Sequence, residues 1–286
     1  MDVDHLRTWI GREARSEDHV TPRLAAEYRA TLDPHLAPVA DGDAPLALHW
    51  CLSPTIAPMA ELGPDGHAAR GGFLPPVPLP RRMWAGGSVE SFAPLRVGDV
   101  VARRSTVLDV SLKSGRSGPL CFVAVQHAYD TARGLAIRER HDIVYREAAS
   151  GSQAAPAPPR PPNRPSPDLT WTVGADAVLL FRYSAMTFNG HRIHYDQPYV
   201  TGVEGYRGLV VHGPIQATLL LNIAAVLAGA IPRRFDYRGL SPLTAPTEFT
   251  VHASRQGTKG VQAWTEDPEG RVCMEATAST DVRTAG

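Results

Sequence analysis

The sequence predicts an α+β fold of two β-rich halves, with antiparallel sheet wrapped around central apolar helix. Three observations predict it. Strand-like runs separated by hairpin-length turns fill residues 89–145 and recur, compressed, over residues 248–278. Between them, residues 149–168 are so proline-rich that they form no packed element and act as an extended spacer. Residues 214–228 carry Leu219, Leu220, Leu221, Ile223, Val226 and Leu227 with almost no polar face, so that helix is buried on most sides.

A chain of 286 residues suits two domains or two fused halves of one larger fold. With 43% hydrophobic and 20% charged residues it can build a sizeable core. Formal net charge is +0, which argues against nucleic acid or a membrane surface as partner. The basic residues are almost all arginine, Lys113 and Lys259 being the only lysines. Cys51, Cys121 and Cys273 are far apart and form no Cys-x-x-Cys pair, so neither a disulfide framework nor a metal site is expected. Cys121 and Cys273 fall in apolar strand-like runs and read as core residues. The start lacks the basic and apolar regions of a signal peptide, and no apolar run approaches the ~20 residues of a membrane span. A cytoplasmic protein is expected.

Taken in order, residues 1–40 read as helical, with Thr21-Pro22 as N-cap and first helical residue. Residues 63–87 are too proline-rich for a helix and too apolar for a flexible linker, which predicts a fixed loop lying over something. Strands follow over 89–95, 100–112, 120–130 and 136–145. After the spacer, Asp176 caps a helix through Met186, with Val178, Leu179, Tyr183 and Met186 on one stripe. The apolar helix follows, stopped by Gly229, and then strands over 248–253, 261–265 and 271–278. A sheet wrapped on one apolar helix is the hot-dog arrangement. Two such halves, 1–148 and 169–286, joined by the 149–168 linker, make a double hot dog.

Chemistry concentrates in two segments. Residues 181–196 read Phe-Arg-Tyr-Ser-Ala-Met-Thr-Phe-Asn-Gly-His-Arg-Ile-His-Tyr-Asp, and lose all hydrophobic period after Thr187, as a loop presenting titratable groups does. Residues 211–220 read Val-His-Gly-Pro-Ile-Gln-Ala-Thr-Leu-Leu, where Gly-Pro opens the apolar helix. With residues 71–87 (Gly-Gly-Phe-Leu-Pro-Pro-Val-Pro-Leu-Pro-Arg-Arg-Met-Trp-Ala-Gly-Gly), these segments resemble the MaoC-like double-hot-dog hydratases. The nearest branch is that of mesaconyl-CoA (3-methylfumaryl-CoA) and itaconyl-CoA hydratases and a mitochondrial 3-hydroxyacyl thioester dehydratase. The resemblance runs over nearly the whole chain. It implies reversible addition of water to an α,β-unsaturated acyl-CoA, with no cofactor beyond the coenzyme A of the substrate.

The resemblance also implies the site. The wider family uses Asp-x-x-x-x-His to hold the reacting water; here the matching positions are Asn189 and His194, and an amide cannot be a general base. His194 is then the acid/base, with Asn189 orienting the water. The Gly213 N–H, at the helix start, is the expected donor to the thioester oxygen, with His212 beside it. Tyr195 and Asp196 close the loop, and Asp196 either orients its neighbours or is itself the base. A substrate carboxylate would meet Arg182, Arg192, Arg81 or Arg82, and the phosphates of coenzyme A would meet Arg233, Arg234 or Arg238. The N-terminal half, which has no such loop, is expected to shape the acyl pocket without catalysing. Alternatives are a dehydratase of 3-hydroxyacyl carrier-protein thioesters, a thioesterase, or a non-catalytic thioester binder. Further homodimerisation is open.

Overall fold

The structure, a computed structural model, describes residues 1–115, 118–147 and 164–281. In chain order the elements of the first half are α1 (Val3–Arg7), β1 (Glu13–His19), α2 (Pro22–Leu32), β2 (Arg81–Ser91), β3 (Val100–Gly115), β4 (Gly118–Thr131) and β5 (Gly134–Arg146). The second half contains β6 (Leu169–Ala175), α3 (Ala177–Met186), α4 (Gln197–Gly202), β7 (Leu209–Val210) and α5 (Gly213–Ala228). It continues with β8 (Arg234–Gly239), β9 (Thr244–Ala245), β10 (Thr247–Gln256), β11 (Gly260–Glu266) and β12 (Val272–Ser279). Most of the expected 149–168 spacer, residues 149–163, lies outside the described residues.

The strands form one ten-stranded sheet in the order β1-β3-β4-β5-β2-β8-β12-β11-β10-β6, and β7 and β9 pair separately. The two half-sheets meet edge to edge through antiparallel pairing of β2 with β8. In the second half the sheet wraps α5, which packs on β6, β8, β10, β11 and β12. This is a double hot dog. In the first half α2 packs against α3, and the tight turn Leu48–Cys51 buries Leu48 and Cys51 with Val89, Val101 and Tyr129. The core is continuous across the halves: the buried Ala37 N–H donates to Asn222 Oδ1 of α5 at 2.8 Å, and the Tyr28 and Thr218 hydroxyls meet at 3.3 Å.

Local signals hold where they are strong. Thr21 accepts from the Leu24 N–H with Pro22 opening α2, Asp176 accepts from the Leu179 N–H, and Gly229 ends α5 at φ 68°. The proline-rich segment is the fixed loop expected of it. Phe73, Leu74, Val77 and Leu79 pack with Val107, Val110, Cys121 and Val123, and the Arg70 guanidinium donates to the carbonyls of Val77, Leu79 and Pro80.

Three expectations are corrected. Residues 1–40 are not continuously helical, because Glu13–His19 form the edge strand β1 paired with β3. Apart from Ala14 that strand is polar, so it carries no apolar period; its charges suit a sheet edge. β2 begins at Arg81, ahead of the expected start, since backbone pairing with β5 extends through its arginines. On α3 the buried residues are Leu180 and Tyr183, whereas Val178 is 58% exposed.

Because the core and sheet run across both halves, fragments 1–148 and 169–286 expressed singly should be insoluble or molten. Co-expression should restore a cooperative melt. Two separately soluble fragments with sharp thermal transitions would contradict the shared core.

Candidate active site

The loop between α3 and α4 is built by its own polar groups. Phe188 leaves α3 in the left-handed region at φ 48°, a conformation uncommon outside glycine that clusters at functional loops. The Asn189 N–H then donates to Ser184 O at 2.9 Å, and Asn189 Oδ1 accepts the His191 N–H at 3.0 Å. A short turn, Arg192–His194, follows, and Asp196 caps α4 by accepting the Tyr199 N–H. This loop and the start of α5 face one cleft of about 2590 Å³ that both halves line.

His194 is held in one tautomer by the backbone. Its Nδ1 lies 2.7 Å from Val210 O, and since a carbonyl only accepts, the ring proton sits on Nδ1. Nε2 therefore carries the lone pair. The ring stacks on His212 at 3.5 Å, and burial lowers the His194 pKa to about 4 against the opposing bond to Val210. His212 is pushed well below its ordinary value by burial and then by His194, and its Nε2 meets the Ser184 hydroxyl at 2.9 Å. Gly213 opens α5, and its N–H has no backbone acceptor among the described residues. A helix N-terminus leaves such donors for a ligand. Glycine is required there, because a Cβ would lie 2.8 Å from the Trp84 ring.

The arginines divide by partner. Arg192 pairs with Asp196 at 2.7 Å, covers the Tyr199 ring at 4.0 Å and donates to Pro64 O, so it braces the loop and does not line the cleft. Asp196 is likewise engaged by Arg192 and the α4 cap and does not line the cleft, which corrects its reading as a base or substrate ligand. Arg182 lies on the far side of α3 against Ala30 O. Arg233 is exposed at the start of β8, Arg234 pairs with Glu90 and Asp236, and Arg238 pairs with Glu275; none lines the cleft. Arg234 and Arg238 share one face of β8 and Arg233 immediately precedes it, where sequence suggested a loop cluster. Arg81 lines the cleft but pairs with Glu204 at 3.2 Å. Arg82 also lines it and has no carboxylate partner among the described residues; its neighbour is Tyr145, whose pKa burial raises and Arg82 holds down. Tyr195 lines the cleft, 55% exposed, with its hydroxyl donating to Gly190 O.

Sequence reading missed Asp65 and His67. They reach the loop from the first half: the Arg192 N–H donates to Asp65 O, and Gly66 lies so close against Gly190 that a Cβ would collide. Asp65 Oδ2 is 2.9 Å from His67 Nδ1, and the His67 ring lies 4.1 Å from that of His191. Burial lowers the pKa of His67 and takes His191 to about 2, so both are neutral near pH 7. Burial pushes the Asp65 carboxyl up, but the bonds and charge of His67 hold it below its usual range. Donor atoms of Asp65, His67 and His191 fall within 4.8 Å of one another, close enough for a shared cation. The carboxylate is engaged by the His67 imidazole.

The chain is a double hot dog that presents an imidazole and a helix N-terminus to one cleft. The chain belongs to the hydroxyacyl-thioester dehydratase type 2 family, which it matches over residues 47–245. It is an enzyme of the hydratase/dehydratase class. It is 41% identical to the mesaconyl-C(4)-CoA hydratase of Chloroflexus aurantiacus over 94% of this chain and 95% of that one. It is 25% identical to the mitochondrial hydroxyacyl-thioester dehydratase type 2 of Schizosaccharomyces pombe over 77% and 80% of the two chains. In fold it is similar to a MaoC-like dehydratase from Phytophthora capsici, with TM-score 0.67 at 17% identity over 99% of this chain and 100% of that one. A Mycobacterium tuberculosis protein described as a double hot dog aligns with TM-score 0.56 at 14% identity, over 94% and 96%. No helix among the described residues is long and apolar enough to cross a membrane.

Neutral buried histidines make stability fall in acid. His194 at about 4 and His191 at about 2 lie below the ordinary 6.5, so the unfolded chain binds protons first as pH drops. The stability they contribute is complete above about pH 6.5 and is lost progressively toward pH 4 and below. His194 alone accounts for on the order of 3 kcal/mol of this. Urea midpoints at pH 7 and pH 4.5 should show the drop. A midpoint flat across that interval would contradict neutral burial.

Proposed function

We propose that this enzyme reversibly hydrates a short, branched dicarboxylic α,β-unsaturated acyl-CoA such as mesaconyl-CoA or itaconyl-CoA. The observation that carries the reading is the His194 Nε2 lone pair facing the same cleft as the unpaired Gly213 N–H. Addition of water forms a bond from its oxygen to the β-carbon and leaves one of its protons on the α-carbon. The thioester oxygen gains negative charge in between. Gly213 N–H, at the positive end of α5, is the donor for that oxygen, and His194 Nε2 handles the proton. Asn189 Oδ1, committed to the His191 N–H, shapes the loop and has one further lone pair for water. Coenzyme A enters as part of the substrate, and the chemistry asks for no other cofactor.

Arg82 supports the dicarboxylate class. It is the cleft arginine of those considered that lacks a carboxylate of its own, and a guanidinium matches a carboxylate in two hydrogen bonds. The cleft, at about 2590 Å³, exceeds the ~300–1,000 Å³ usual for small ligands and suits a long thioester. The relationship to hydroxyacyl-thioester dehydratases favours a second reading, dehydration of 3-hydroxyacyl thioesters on a carrier protein. Three buried free cysteines fit a reducing compartment such as the cytoplasm.

Loss of enoyl-thioester absorbance without release of free thiol, on mixing with mesaconyl-CoA, itaconyl-CoA or crotonyl-CoA, is the expected result. Loss with free thiol would mean hydrolysis, and no change would mean a binder. His194→Ala should lower turnover by roughly 100- to 10,000-fold, the scale of a lost acid/base.

Arg82→Gln should cut the specificity constant for the dicarboxylic substrate by ~100-fold, on the order of 3 kcal/mol, and leave crotonyl-CoA nearly untouched. Equal losses on both substrates would remove Arg82 from carboxylate recognition.

A further inference from the structure

We propose that the Asp65–His67 pair of the first half is a second acid/base group of this site, so that hydration is shared between two imidazoles. The proposal rests on the hydratase reading and deepens it. His67 activates water at the β-carbon, and His194 serves the α-carbon.

The geometry separates the two roles. His194 stacks on His212, the residue before Gly213, so its free nitrogen belongs at the thioester end of the acyl group, beside the α-carbon. His67 stands farther along the cleft: its ring is 4.1 Å from that of His191, which in turn lies edge-on at 5.5 Å from His194. Its side chain keeps 24% of its surface open, enough to meet water and substrate.

The partners differ in the same sense. Asp65 Oδ2 holds the proton on His67 Nδ1 at 2.9 Å and leaves Nε2 basic, and a carboxylate there stabilises the imidazolium that forms. His194 has only the neutral Val210 carbonyl. An imidazolium so poorly supported gives its proton up readily, as delivery to carbon demands. The pair is also held rigidly. Asp65 Oδ1 accepts the His67 N–H at 3.0 Å, and its backbone and that of Pro64 accept from Arg192. The charged and titratable groups facing His67 are Asp65, Arg70, Arg82, His191 and His194; Asp65 favours its protonation and the two arginines oppose it.

The step balances as follows. His67 Nε2 takes a proton from water as the water oxygen bonds to the β-carbon. The π pair moves toward the thioester oxygen, held by Gly213 N–H. The proton on His67 passes through water in the cleft to His194 Nε2, which gives it to the α-carbon as the carbonyl re-forms. Both imidazoles end neutral, and one proton has moved from water to carbon.

Two readouts on the intact enzyme test the division. Hydration of mesaconyl-CoA reports both groups, whereas exchange of the α-proton of the hydrated product in D₂O, followed by mass spectrometry, needs only His194 and Gly213. His67→Ala and Asp65→Asn should lower hydration by roughly 100-fold or more, with exchange kept within about threefold and an unchanged thermal midpoint. His194→Ala should lose both activities. Retained hydration in both His67→Ala and Asp65→Asn would overturn the proposal, and so would parallel loss of exchange in them. If His67→Ala unfolds, the milder His67→Gln decides by the same two readouts. A wild type that hydrates no enoyl thioester overturns the hydratase reading and this assignment with it; an active wild type with active His67 variants overturns this assignment alone.

Discussion

The pairing of β2 with β8 is the contact on which the rest of the molecule depends. Each half-sheet would otherwise present an open edge, a ready template for association with other chains. The pairing demands closeness that only glycine allows: a Cβ on Gly86 would lie 2.6 Å from Tyr237 O, and one on Gly87 2.6 Å from the Tyr237 hydroxyl. That hydroxyl donates to Glu139 of β5 at 3.4 Å, and the Trp50 indole N–H donates to the same carboxylate at 2.5 Å. Burial pushes the Glu139 carboxyl up, yet the charge and hydrogen bond of His141 hold it well below its usual value. A buried charge satisfied from both half-sheets and from the Leu48–Cys51 turn pins the seam. Removing one partner from such a group typically costs about 3–5 kcal/mol.

The seam also fixes the chemistry. β2 carries Trp84 from the first half onto Gly213 at the start of α5, so the donor proposed for the thioester oxygen is shaped by a residue more than a hundred positions away. The same strand brings Arg81 and Arg82 to the cleft, one paired with Glu204 and the other without a carboxylate partner among the described residues. Charge availability thus follows from pairing geometry. Arginines that answer a nearby carboxylate hold the structure together, as Arg192 and Arg234 do.

What the sequence made legible was whatever is decided locally. The apolar helix, the caps at Thr21 and Asp176, the stop at Gly229 and the long hairpins all depend on residues within a turn or two. β1 and β8 were illegible because their side chains are charged or alternate between charge and aromatic, and their order comes from a neighbouring strand. The brace between Arg192 and Asp196 was within reach: Asp before Gln-Pro is a helix-start signature, and the two sit at i, i+4. Asp65 and His67 were not. Nothing near them in a glycine- and proline-rich segment points to residues 190–192, and only the folded chain brings the two loops together.

That juxtaposition gives Asn189 a physical reason. A carboxylate at position 189 would add negative charge to a cleft already lined by Asp65, Glu61, Glu204, Asp267 and Glu269, and like charges close together in one site drive one of them to keep its proton. The amide accepts the His191 N–H as a carboxylate would, so the turn survives without the charge. In the proposed division of the chemistry the anion comes from the other half, through His67. Each half then contributes to the proposed site: the second half has the loop, His194 and the helix terminus, and the first has Asp65, His67 and Trp84. A site divided in this way requires both halves in fixed register, and the β2–β8 pairing enforces that register.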